Sequence, residues 1–420
     1  MGPEAAPERP AADDVLARVH REEHSRLLAT LVRRFGDLDL AEEAAQEAME
    51  RALTTWPEQG VPEKPLAWLI TVARRVALDR VRRDTTLARR VAEMHLQERD
   101  RAAPGADEQA LASGDLPDDR LAMLMGCCHP AIAPADRIAL MLRFVGLLST
   151  AETAAALLVP TATLAARITR AKKRIVANRI PLTVPEDPAE RARRLPLVLT
   201  AISLVFTEGY AATSGEAPIR QELTGEAIRL ARITHRLLPG AAEPQGLLAL
   251  LLLNDARSRA RVDADGTPVA LQDQDRSCWD AEKIEEGLAL VEEAAGREDA
   301  GRFTIQAAIA AVHAEAPAFE STDWAQIVSL YSLLLMQRED PVVRMNRAIA
   351  IGRRDGPEAG LALLEELEGE PGLAGHHPYH VALALFRTEL GRDPDSAWEQ
   401  ALAPAGNAAE RRYVTQRRQG

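Results

Sequence analysis

Apolar residues recur along this chain at three- and four-residue spacing, and strict alternation of Val, Ile and Thr is hard to find. That single pattern excludes sheet architectures and leaves helix packed on helix. Ala, Leu, Arg and Glu dominate, and unbranched side chains of this kind lose little freedom on entering a helix. The fold class is therefore all-α. A length of 420 residues exceeds one ordinary domain.

Punctuation divides the chain. Residues 15–83 form a first helical unit, and 84–118 read as a linker carrying "DRAAPGADEQ" and "ASGDLPDD". Residues 119–180 form a second compact unit. "PLTVPEDPAE" then interrupts with three prolines, and 191–420 is a long helical extension. The polar start "MGPEAAPERPAADD" lacks a signal-peptide core, and "GLLALLLLN" is too short to cross a bilayer. Three cysteines make no disulfide framework. A cytoplasmic protein without membrane contact is expected.

In the first unit, Leu40, Ala44, Ala48, Met49, Ala52, Leu53 and Trp56 share one helix face. The opposite face carries Glu42, Glu43, Gln46, Glu47 and Glu50. The next helix, "PLAWLITVARRVALDRVRRD", buries Leu69, Val72, Ala73 and Val76 beside an arginine-rich flank that includes Arg74, Arg75, Arg82 and Arg83. Trp68 reads as core.

The second unit ends in a short helix with Ser149 and Thr150 as N-cap candidates, a break at "VP", and the helix "TATLAARITRAKKRIVANRI". Leu164, Ile168, Ala171 and Ile175 make its buried stripe. Thr163, Arg167, Arg170 and Arg174 repeat that spacing on another face, with Lys172 and Lys173 alongside. The stretch has no carboxylate, although the chain's net charge is −12. A short helix, a turn and a longer basic helix make a helix-turn-helix. Its cations suit phosphates whatever the sequence, and arginines on a groove-facing row suit guanine edges.

Taken together, these segments resemble a bacterial RNA polymerase sigma factor of the sigma-70 family, extracytoplasmic-function type. "DLDLAEEAAQEAMERALTTWP" resembles region 2.2, "PLAWLITVARRVALDRVRRD" regions 2.3–2.4, and "RIALMLRFVGLLSTAETAAALLVPTATLAARITRAKKRI" region 4. The resemblance implies that Glu42, Glu43, Gln46, Glu47 and Glu50 face core RNA polymerase. It implies that Arg74, Arg75, Arg82 and Arg83 serve the −10 element of promoter DNA. It gives the −35 element to Thr163, Arg167, Arg170, Lys172, Lys173 and Arg174. Arg75 stands where the family often has Asn, and Ala165 and Ala166 where it is often polar.

Stretches of the extension, among them "FTEGYAATSGE", "NRAIAIGRRDGPEAGLALLEEL" and "AGNAAERRYV", resemble the subgroup with a fused tetratricopeptide-like C-terminal domain. That subgroup implies control of sigma activity by the extension and a small protein of the "DGPF" type as a candidate partner. "DGP", Asp355–Gly356–Pro357, reads as a turn between helices with a regulatory role to be tested. Gly352-Arg353 and Gly391-Arg392 suggest an internal repeat.

Cys127, Cys128 and His129, with Cys278 far along the chain, invite a metal reading. Adjacent cysteines fit one tetrahedral ion poorly, and packing is the expectation: no metal, no cofactor. No nucleophile–base pair or phosphate loop stands out, so no enzymatic activity is expected. Two other readings fit parts of the sequence: a stand-alone helix-turn-helix regulator with a repeat-type sensor domain, and a tetratricopeptide scaffold without a DNA role.

Overall fold

The computed structural model describes residues 12–92, 119–157, 159–212, 219–402 and 408–419; the expected linker lies mostly outside them. Among the described residues there are eighteen α-helices and no β-strand, only an isolated bridge between Val262 and Pro268. They fall into two compact units, divided between Ala201 and Ile202. No described helix is long and apolar enough to cross a membrane.

The first unit opens with α1 (Ala12–Phe35), α2 (Leu38–Gln59) and α3 (Pro65–Ala92). Gly36, at φ +68°, stops α1. The Asp37 carboxylate then caps α2 by accepting from the Asp39 and Leu40 amides at 2.9 and 3.1 Å. Ala41, Ala44, Ala45, Ala48 and Ala52 are fully buried, and their short side chains let the flanking helices approach closely. The inward face is thus turned toward Ala41 and Ala45, and Leu53, expected inside, is 52% exposed. α3 buries Leu69, Ile70, Ala73, Val76 and Ala77, with Val72 half-buried. Half-buried Trp68 meets Trp56 edge-on at 5.6 Å. The helix runs nine residues past the expected end at 83.

Four helices follow: α4 (Arg120–Cys127), α5 (Pro134–Phe144), α6 (Thr150–Ala156) and α7 (Thr161–Ala177). Both Cys127 and Cys128 are buried here, and Cys128 Sγ lies 3.4 Å from Met141 Sδ. Burial pushes both thiols toward the neutral form, Cys128 up to about 12. No described group of three or more His, Cys, Asp or Glu side chains is arranged to hold a metal ion.

α8 (Pro188–Tyr210) starts in the first unit. Buried Arg194 pairs with Glu190 and donates to the Met125 carbonyl at 2.7 Å. Leu182 sits so tightly on Gly126 that a Cβ there would come within 2.5 Å of its Cα. The proline-rich stretch is therefore a bend packed on α4. The compact units divide about ten residues later than the expected start of the extension at 191.

The second unit continues with α9 (Gln221–Leu237), α10 (Ala242–Asp255), α11 (Ala281–Ala295), α12 (Arg302–Glu315), α13 (Trp324–Gln337), α14 (Pro341–Asp355), α15 (Pro357–Glu365), α16 (His377–Glu389), α17 (Asp395–Leu402) and α18 (Ala408–Gln419). α10, apolar on every side, is wrapped by α9, α11 and α12. Its Glu243 carboxylate accepts the Gly301, Phe303 and Thr304 amides at 3.0–3.1 Å, capping α12. Gly356, at φ +106°, and Pro357 make the sharp turn between α14 and α15, as the sequence suggests. Asp355 holds the adjacent Arg354 in a bidentate pair at 2.7 and 2.8 Å.

The glycine spacing needs correction. Gly352 is buried inside α14, whereas Gly391 ends a helix at φ +65°. Gly356, which also follows a helix with positive φ, lies 35 residues before Gly391.

Candidate nucleic-acid interface

The helix-turn-helix is built by short-range chemistry. Ser149 Oγ accepts the Glu152 amide at 3.1 Å while Glu152 accepts the Ser149 amide at 2.7 Å, a reciprocal cap that fixes the start of α6. Pro160 precedes α7 and prevents the two helices from merging. Leu164, Ile168, Ala171 and Ile175 anchor α7 in the core, so register alone sends the other faces outward.

Those faces differ sharply. Thr163, Arg170, Lys173 and Arg174 are exposed and Arg167 is half-exposed. Among the described residues, Arg167 and Arg170 form no ion pair, and Arg174 only approaches the Ala131 carbonyl at 3.5 Å. Lys172 is spent otherwise. Its side chain is 12% exposed; Nζ meets Asp39 at 2.8 Å and Glu42 at 2.5 Å, and it lies 4.8 Å from the Phe144 ring centre. Arg143 adds a second cation to Glu42 at 2.9 Å. In this arrangement Lys172 holds α7 to α2 and is not offered to a phosphate.

Further contacts extend this clasp. Arg33 pairs with Asp119 at 2.8 Å, and buried Arg120 donates to Ser25 at 3.1 Å. The two helical groups that the sequence presents as tethered modules are packed as one unit. Asp39, Arg143 and Phe144 are residues that sequence reading missed. No local signal marks them: the partners of Asp39 and Arg143 stand more than a hundred positions away, and Lys172 reaches Phe144 from another helix.

The acidic face of α2 is divided in the same way. Glu42 is taken by α5 and α7, and Arg80 of α3 pairs with Glu43 and Glu47. Arg51 also reaches Glu47 at 2.6 Å, and Gln46 donates to Glu50 at 3.2 Å. Glu43, Gln46 and Glu50 remain exposed. On α3, Arg75, Arg82 and Arg83 are exposed and Arg74 is half-buried, with Leu78 and Val81 exposed between them. Arg83 donates to the Asp79 carbonyl at 3.2 Å. This cationic flank and the row on α7 belong to the same compact unit.

Breaking the clasp has a defined consequence. Lys172→Met removes the charge that two carboxylates share and is expected to weaken the α2–α7 contact by about 1–3 kcal/mol. Fluorescence energy transfer between probes on α2 and α7 should then fall, and fall further with salt. Unchanged transfer would show that these pairs do not hold the halves together.

Comparison with known proteins finds three family matches. Residues 19–86 match sigma-70 region 2 and residues 122–175 match sigma-70, region 4. Residues 194–295 match a family of unknown function (DUF6596). An uncharacterized protein of Rhizobium meliloti (strain 1021) is 45% identical over 390 residues, covering 92% of this chain and 91% of that protein. No solved structure matches the chain. With both regions present in order, each coinciding with a helical group described above, this chain belongs to the sigma-70 family and is a sigma factor of transcription initiation, with the region 4 of the extracytoplasmic-function type.

Proposed function

We propose that this sigma factor binds core RNA polymerase through the acidic face of α2 and directs it to bipartite promoters in the cytoplasm. Arg74, Arg75, Arg82 and Arg83 serve the −10 element, and Thr163, Arg167, Arg170, Lys173 and Arg174 the −35 element. Lys172 joins the −35 contacts once the clasp opens. The observation that carries the reading is the row on α7: Arg167 and Arg170 face outward with no anionic partner among the described residues, while the neighbouring Lys172 is neutralised. A helix intended only for packing would have no reason to leave that row unpaired in a chain with excess acid.

The tetratricopeptide-like extension controls this activity, with a small "DGPF"-type protein as candidate partner and the Asp355–Gly356–Pro357 turn as a candidate contact. Run-off transcription with purified core polymerase tests both levels. Full-length protein should support initiation at promoters selected by the holoenzyme and bind that DNA weakly alone. A truncation placed after Ala201, which retains the Arg194 anchor, should alter the initiation rate severalfold. Tight operator binding without any initiation would favour the stand-alone regulator; equal rates for both proteins would remove the control function.

A further inference from the structure

The second unit contains a cavity of about 390 Å³, within the range of small-molecule sites. It is lined by three stretches that neither polymerase nor promoter binding uses. Ala211 comes from "FTEGYAATSGE", Ile349 and Arg353 from "NRAIAIGRRDGPEAG", and Tyr413 from "AGNAAERRYV". Segments two hundred residues apart thus meet around one space. Its wall is mainly apolar, with Val381, Leu385 and Phe386 of α16 facing Ile349.

One polar group in that wall has no carboxylate partner among the described residues. Arg261 stacks over the Tyr210 ring, 3.4 Å from its centre, and donates one N–H to the Tyr210 carbonyl. No described carboxylate forms an ion pair with it, including Glu410, the acid on the cavity wall. Nearby Arg257 donates to the Tyr210 hydroxyl at 2.8 Å and adds positive field. The other charged or titratable lining groups are engaged: Arg353 pairs with Glu389 at 2.9 Å, and His377 Nδ1 contacts the Ala401 carbonyl at 2.8 Å. A guanidinium cannot shed its proton, so a half-buried one without a described counter-charge is best completed by an anion.

We propose that this cavity binds a small amphiphilic carboxylate, its acid group on Arg261 and its apolar body against Ile349, Val381, Leu385 and Phe386. The volume suits a body of about ten to fifteen heavy atoms. The cavity can respond to its occupant. α18 forms one wall and is tied to the 261–273 loop by Arg412, which donates to the Gly266 carbonyl at 3.2 Å, and by the Arg417–Asp273 pair at 2.6 Å. Occupancy would brace those two elements together.

Titration calorimetry of the full-length chain with octanoate, 2-naphthoate and octan-1-ol tests this without polymerase, so its outcome is independent of the promoter reading. At least one acid should saturate a single site, with the alcohol at least tenfold weaker than octanoate. Arg261→Met should weaken the acid at least tenfold, while exposed Arg259→Met should leave it unchanged. Val381→Trp fills the cavity with Arg261 intact and should also abolish binding, which separates ligand loss from any misfolding of the Arg261 variant. The proposal is overturned if neither acid saturates, if octan-1-ol matches octanoate, or if folded Arg261→Met and Val381→Trp proteins bind as the parent does.

Discussion

Replacing Arg167 and Arg170 together by alanine is expected to lower promoter-specific initiation at least thirtyfold while leaving the melting temperature unchanged. Both halves of that result come from geometry. A bidentate arginine–guanine contact contributes about 1–3 kcal/mol of discrimination, so losing two of them removes well over a factor of ten. Neither residue forms an intrachain ion pair among the described residues, and the stripe that anchors α7 is untouched. The loss should be concentrated on the −35 sequence: changing those bases should cost the double variant little more. Lys173→Ala serves as the contrast. It should weaken binding to all sequences alike and reduce the salt slope by about 1. Equal losses on every sequence for both proteins would assign the arginines to the DNA backbone and withdraw their role in selectivity.

Gly352→Val is expected to destabilise the second unit by about 2 kcal/mol, although glycine within a helix is ordinarily unfavourable. A Cβ at this position would stand 2.4 Å from Phe386 Cζ and 3.0 Å from the Gly360 Cα. Neither neighbour can yield easily: Phe386 is fully buried, and Gly360 is backbone of the next helix. The gain in helix propensity, below about 1 kcal/mol, is smaller than the overpacking cost, which lies near the top of the usual 1–3 kcal/mol range. Phe386→Leu in the same chain should recover part of the loss, although that change is itself destabilising. Thermal unfolding of the four proteins in a double-mutant cycle measures the coupling. Strict additivity would mean that the aromatic ring is not what excludes a side chain from position 352.

The same glycine marks where sequence reading stops. "DGP" announces a turn because the conformational demands on Gly356 and the fixed φ of Pro357 are local properties. Gly352 looks like part of a repeated glycine–arginine pair, yet its role is contact with Phe386, 34 positions away. Leu53 fails for a related reason. Helical periodicity defines an apolar stripe on α2, but alanines on either side of it allow the helix to roll, and neighbour packing selects the Ala41–Ala45 edge. The sequence narrows the cap of α6 to Ser149 or Thr150, and the capping box with Glu152 selects Ser149.

Periodicity, caps and charge placement along the chain determine that this protein is all-α, that α7 opposes a buried Leu–Ile–Ala stripe to an arginine row, and that α2 has an acidic face. These are local consequences of side-chain spacing on a helix. Tertiary structure alone decides that Lys172 is withdrawn to Asp39 and Glu42, that α8 anchors on α4 through Arg194, and that three distant stretches enclose a cavity beside Arg261. Each depends on groups distant in sequence coming within a few ångströms, where desolvation makes the choice of partner decisive. Spacing along the chain carries no record of that choice.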